Sequence, residues 1–277
     1  MLKIENIKNF NLDETVTCGQ IFRYEIEKDN SYTIILKDRV INIKYSNNTL
    51  YVKSNNYDNL ETVVLKYFDL ERDYSKINDM ISKIDSEIKP VIESCNGLKM
   101  INSYPFETII SYIISANNSV ASIKKSVDKI AMLYGKKVYF NEKEYYLFPT
   151  PEELRKVTSL EYRKCSVGFR DKYIESIVNV VNSNEKYLDN IYMIDTNSAF
   201  DLLLKEKGIG PKVASCILLF AYQKFDVFPI DTWVKKVMKE KYNIVGEKNI
   251  RKMAKELYGE YSGIAIQYMF HYGRNKK

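Results

Sequence analysis

The stretch from Lys207 to Trp233, KGIGPKVASCILLFAYQKFDVFPIDTW, limits the fold more than any other part of the chain. Asp195 or Thr196 can start a helix through Leu202, Leu203 and Leu204, and Gly208 stops it. Gly208-Ile209-Gly210 then permits a tight turn, and Pro211 suits the first position of a second helix through Val213, Ile217 and Phe220. This reads as a helix–hairpin–helix over residues 196–222. Its turn can present unpaired backbone N–H groups beside the positive end of a helix dipole, which suits a DNA phosphate without base readout. Taken alone, Gly208 and Gly210 serve a plain helix stop and chain reversal equally well.

Lys212 lies in the first turn of the second helix, where the dipole disfavours a cation. An amine made less willing to hold its proton can act as a nucleophile and form a Schiff base, although most lysines are simply solvated charges. Asp231, in Phe228-Pro229-Ile230-Asp231-Thr232-Trp233, is suited to cap the next helix. N–H groups that bond a carboxylate hold it ionised and oriented, ready to stabilise a developing cation. Capping and catalysis are compatible at this position.

The rest of the chain frames this segment. Ile41, Ile43 and Tyr45 alternate with polar residues, Asn47-Asn48 supplies a turn, and Leu50, Tyr51 and Val52 begin another β-rich run. From about Tyr74 the period becomes helical. Val120, Ile123, Val127, Ile130 and Leu133 share one face, with Ser119 as N-cap and Gly135 just past the C-terminus. Thr150-Pro151-Glu152-Glu153 combines a capping box with proline at the first helical position. The expected class is therefore α+β. An N-terminal antiparallel β-sheet domain over residues 1–75 contributes to the site, followed by a mainly helical body over 76–277.

Composition removes several chemistries. Cys18, Cys95, Cys165 and Cys216 are far apart, with no C-x-x-C pair, so disulfides, a zinc ribbon and an iron–sulfur cluster are not expected. The single histidine, His271, leaves little room for a histidine-based triad or a multi-histidine metal site. No cofactor or metal is expected, and whether a cation binds the hairpin carbonyls is left open. The formal net charge of +6 suits a polyanion, but also many ordinary enzymes. No apolar run approaches the roughly 20 residues of a membrane span and no leader pattern is present, so a cytoplasmic, nucleoid-associated monomer is expected.

Gly208-Ile209-Gly210-Pro211-Lys212 followed by Pro229-Ile230-Asp231 resembles the helix–hairpin–helix and Gly-Pro-Asp signature of the DNA glycosylase superfamily. Other segments, in order along nearly the whole chain, resemble its 8-oxoguanine glycosylase branch. These are Cys18-Gly19-Gln20-Ile21-Phe22-Arg23, the asparagine turn Asn117-Asn118 within Tyr112 to Ile123, Val167-Gly168-Phe169-Arg170, and Gly263-Ile264-Ala265 through Phe270. The endonuclease III branch shares the lysine but commonly carries a four-cysteine cluster absent from this sequence.

The resemblance implies an enzyme acting on double-stranded DNA that contains an oxidised purine. Lys212 would be the nucleophile and Asp231 the stabiliser of the charged sugar. The Gly19 carbonyl would accept the N7 proton that 8-oxoguanine has and guanine lacks, with Cys216 and Phe270 sandwiching the extruded ring. Asn117 would fill the space left by the base, Phe169 would wedge into the duplex and Arg170 would contact the opposite strand, while Gly208 and Gly210 grip phosphate. Two positions depart from the family pattern. Ile266 stands where a glutamine commonly binds the base edge, with Gln267 beside it, and Ser122 stands where cytosine-specific members have a second arginine. A glycosylase/lyase for another oxidised base, or a noncatalytic DNA-binding module, is the alternative reading.

Overall fold

The alternating N-terminal residues form a five-stranded antiparallel sheet in the order β1-β5-β4-β3-β2, in a computed structural model that describes residues 1–275. The strands are β1 (Leu2–Ile4), β2 (Tyr24–Ile26), β3 (Tyr32–Ile35), β4 (Val40–Ser46) and β5 (Thr49–Ser54). β4 and β5 meet in a hairpin with Ile43 opposite Val52 and Tyr45 opposite Leu50, so their apolar residues fall on shared faces. Asn47 and Asn48 both have positive φ, 51° and 55°, as a two-residue turn matched to strand twist requires. One face of the sheet packs with the helices Leu12–Thr17 and Leu60–Tyr67 around Val16, Ile34, Ile41, Ile43 and Phe68.

The helical body follows from Tyr74. Ser119 caps the helix Val120–Tyr134 by accepting from the Ser122 N–H. Gly135 does follow this helix, but with φ −89° it is extended and needs no left-handed freedom. Its reason is space: a β-carbon there would lie 1.9 Å from the Leu147 carbonyl oxygen. Leu147 follows a second hairpin, β6 (Lys137–Phe140) and β7 (Lys143–Tyr146), inside the region expected to be mainly helical. The bonds of the Thr150–Glu153 capping box form, yet residues 151–156 make successive turns instead of a helix.

The chain segment between the sheet and the body belongs to both. Cys18 and Phe22 pack into the helical core, whereas Ile101 packs into the core under the sheet. Gln20, buried, donates to the Lys99 carbonyl at 2.8 Å and accepts from the Ile101 N–H at 2.8 Å, closing this exchange with hydrogen bonds. Arg23, 4% exposed, reaches Asp128 at 3.3 Å and Glu107 at 3.5 Å and donates to the Tyr146 carbonyl. Residues 18–23 are thereby fixed on both sides.

Candidate active site

The hairpin forms as its residues dictate. The first helix, Thr196–Leu204, is capped by Asp195, whose carboxylate accepts from the N–H groups of Asn197 and Ser198. The second, Pro211–Tyr222, has proline in its first turn and Gly210 as N-cap. Gly208 has φ +84°, and a β-carbon there would lie 2.6 Å from the Tyr173 ring, so conformation and space both require glycine. Gly210 has φ −91° with nothing within 4 Å of an added β-carbon. The turn between them is open to an approaching anion.

Lys212, Cys216 and Phe220 follow one another at a spacing of four and line one cavity from the second helix. Asp231 enters from the start of the helix Thr232–Tyr242, where its carboxylate accepts from the Val234 N–H at 2.8 Å. The C-terminal helix, Ser262–Asn275, contributes Ile266, Gln267, Phe270 and Arg274. Gly19 and Phe22 close the wall, and Asn117 stands exposed at the rim. The cavity measures about 560 Å³, within the roughly 300–1,000 Å³ usual for ligand sites.

Burial raises the Asp231 carboxyl above its ordinary value, against the opposing pull of the Val234 N–H bond and the Lys212 charge. The capping bonds, expected to hold the carboxylate ionised, are outweighed by its removal from water. Burial also pushes the Cys216 thiol up, again opposed by Lys212. Cys216 is thus a neutral thiol and a soft wall.

Gly19 adopts φ +89°, and a β-carbon on it would lie 3.4 Å from the Phe270 ring and 3.2 Å from the Arg274 guanidinium. Arg274 donates to the Thr17 carbonyl at 2.6 Å, and its guanidinium carbon lies 5.7 Å from the Phe270 ring centre. Ile266 and Gln267 both line the cavity, and the Gln267 amide donates to the Cys18 carbonyl at 3.3 Å. A polar side chain thus stands beside Gly19 although its neighbour Ile266 carries none.

The other expected DNA contacts lie outside the cavity lining. Phe169 is 59% exposed on a three-residue 3-10 turn, Gly168–Arg170. Arg170 is 6% exposed, and its guanidinium donates to the carbonyls of Ala116, Asn117 and Val167. It holds the asparagine turn, where Asn117 has φ +51°. Ser122 is exposed, its hydroxyl 2.9 Å from that of Ser119. Tyr112, Trp233, Lys235 and Arg274 also line the cavity and carry no assigned role from the sequence. For Arg274 the available signal is its position four residues after Phe270 on one helical face.

Fold and site together define a helix–hairpin–helix protein with an amine and a carboxylate facing one base-sized cavity. The sequence matches the 8-oxoguanine DNA glycosylase N-terminal domain family over residues 2–109 and the HhH-GPD superfamily of base excision DNA repair proteins over residues 110–260. A probable N-glycosylase/DNA lyase of Methanothermobacter thermautotrophicus is 31% identical over 75% of this chain and 71% of its own length. The N-glycosylase/DNA lyase of Saccharomyces cerevisiae is 29% identical over 76% of this chain, which spans 58% of that protein. The Clostridium acetobutylicum 8-oxoguanine glycosylase/lyase, solved with double-stranded DNA containing cytosine opposite 8-oxoguanine, superposes with a TM-score of 0.94 at 36% identity over 98% of this chain and 94% of that one. The chain belongs to the HhH-GPD superfamily of base excision DNA repair proteins, and within it to the 8-oxoguanine DNA glycosylase/lyase branch.

Proposed function

We propose that this chain excises 8-oxoguanine from duplex DNA and cleaves the resulting abasic site through a Schiff base on Lys212. The observation that carries the reading is the convergence of Lys212, Asp231, Gly19, Cys216 and Phe270 on one cavity beside the phosphate-gripping hairpin. The target atom, C1′, is unreachable in a stacked duplex, so the nucleotide must be extruded, at a cost of a few kcal/mol. The open turn at Gly208 and Gly210 holds the backbone while Asn117 and Phe169 occupy the disturbed stack.

The ring then lies between Cys216 and Phe270, with the Gly19 carbonyl accepting from N7–H. Guanine presents a lone pair at that atom and is repelled by the same oxygen. As the glycosidic bond breaks, the base leaves with the bonding electrons and positive charge develops on the sugar, which Asp231 stabilises without covalent contact. The Lys212 amine bonds to C1′, and the imine formed after ring opening acidifies the C2′ proton. Its loss expels the 3′ phosphate by β-elimination. A cytoplasmic, nucleoid-associated location accords with this substrate, and no described helix is long and apolar enough to cross a membrane.

Single-turnover excision from duplexes carrying 8-oxoguanine, guanine or an oxidised pyrimidine tests the assignment. The expected order is rapid release of 8-oxoguanine with the other two slower by orders of magnitude. Faster release of the pyrimidine would assign the lesion wrongly.

A further inference from the structure

We infer that Tyr112 is a positioning residue joining the two halves of the site: its hydroxyl aims the Gly19 carbonyl at the lesion and its ring seats the Lys212 amine. The inference rests on the roles proposed above for Gly19 and Lys212. Tyr112 lies on the helix Pro105–Ser115 and is 3% exposed. Its hydroxyl donates to the Gly19 carbonyl at 3.3 Å and to the Gln20 carbonyl at 3.4 Å. The Lys212 Nζ atom lies 5.2 Å from the centre of its ring.

A buried tyrosine in a helical core usually finds any one carbonyl. Here the acceptors are two consecutive carbonyls, both turned to the same hydroxyl in a segment where Gly19 has φ +89°. Burial pushes the Tyr112 hydroxyl well above the ordinary phenol value, so it keeps its proton and acts as a donor. One proton shared between two acceptors can settle on the Gln20 oxygen when N7–H takes the Gly19 oxygen. The loop is then held in the same orientation with and without the lesion.

The ring is itself fixed. It stacks on Phe220 at 5.7 Å and 19°, and meets Phe22 edge-on at 5.6 Å. Phe220 stands two turns after Lys212 on the same helix, and Phe22 stands three residues after Gly19. Each neighbour therefore belongs to one half of the site, and Tyr112 is the common contact. A phenylalanine would keep the stacking and lose only the aim of the carbonyl.

Full-length Tyr112→Phe and Tyr112→Leu proteins separate the hydroxyl from the ring. The first readout is the ratio of single-turnover excision rates for 8-oxoguanine and its 7-deaza analogue, which presents C–H in place of N7–H. In Tyr112→Phe this ratio falls about threefold to tenfold, the range one hydrogen bond spans. Purely structural damage would slow both substrates by one factor and leave the ratio fixed. The second readout is borohydride trapping on abasic DNA, which needs no base recognition. Tyr112→Leu slows it at least about threefold more than Tyr112→Phe does, through loss of the ring against which the Lys212 side chain is placed. A wild-type chain that excises 8-oxoguanine, with an unchanged ratio in Tyr112→Phe, overturns the Tyr112 assignment alone. A wild-type chain that leaves 8-oxoguanine in place overturns the functional reading and this assignment together.

Discussion

The observed cap and the proposed catalytic charge of Asp231 pull in different directions. Its carboxylate caps a helix, yet burial raises its pKa, so the charge needed for catalysis is unfavourable in the folded state. Because the folded value is raised, its contribution to stability is full below the ordinary carboxylate pKa and is lost as pH rises through the raised one. Asparagine caps equally well and does not titrate. Asp231→Asn should therefore melt at or above wild type at pH 7, by up to about 3 °C, with the gap closing as the solution is acidified. Its excision rate should fall by about a hundredfold or more. A melting temperature well below wild type at pH 7 would show that the aspartate is structural. Opposite-base reading is also decided residue by residue. Ser122 is short, and Arg170 is engaged with three backbone carbonyl groups. Losing a bidentate base contact forfeits on the order of 1–3 kcal/mol of discrimination. Excision rates opposite the four normal bases should thus differ by less than about tenfold, as single-turnover assays can measure. A preference for cytosine of a hundredfold or more, unchanged by Ser122→Arg, would mean that another side chain reads that base. Lys212 and Asp231 were legible because their neighbours force turns and helix starts, whereas Cys216, in the middle of a helix, was singled out only by the resemblance. The burial of Arg170 was not legible, because its carbonyl partners on Ala116 and Asn117 lie more than 50 positions away and leave no local pattern.

Among the elements, the hairpin was the most legible, since Gly208, Pro211 and the Asp195 cap each fix one backbone feature. Its two glycines should nevertheless respond differently. Gly208→Ala places a methyl group against Tyr173 at positive φ and should cost about 1–3 kcal/mol. Gly210→Ala meets open space at ordinary φ and should change stability by less than about 1 kcal/mol, while weakening binding to undamaged duplex where the phosphate must approach. Thermal melts paired with binding isotherms check both, and equal melting losses for the two variants would contradict the distinction. The hairpin of β6 and β7 escaped the sequence reading for a physical reason. Its turn places Asn141 and Glu142 at positive φ, and glutamate is not a residue that advertises such a turn. The same omission hid the purpose of Gly135, which yields space to that hairpin's end instead of ending a helix in the left-handed conformation.

At the scale of the whole molecule, the sheet and the helical body are useful only when registered to each other, since Gly19 comes from one side and Lys212 from the other. Arg23 is one fastener of that registry. Burial raises the Glu107 carboxyl, and Arg23 opposes the rise. Arg23→Met leaves Glu107 buried without its partner, which should cost about 3–5 kcal/mol at neutral pH. The deficit should shrink as pH falls and Glu107 takes up a proton, because the variant's folded carboxyl then binds that proton more tightly than the unfolded chain does. Denaturant unfolding of both proteins from pH 4 to 8 measures this, and a deficit that is constant with pH would remove Glu107 from the explanation. The two-part architecture could be read from the change in period near Tyr74. The registry could not, because it depends on residues such as Gln20 and Lys99, 79 positions apart, joined by hydrogen bonds that leave no periodic trace. In the proposed function the Lys212 amine, at the mouth of the hairpin, does the chemistry. Borohydride trapping of Lys212→Gln on duplex DNA containing 8-oxoguanine or an abasic site tests it most directly. The covalent adduct and strand cleavage should disappear while binding to lesion DNA persists; an adduct at the wild-type level would exclude Lys212 as the nucleophile.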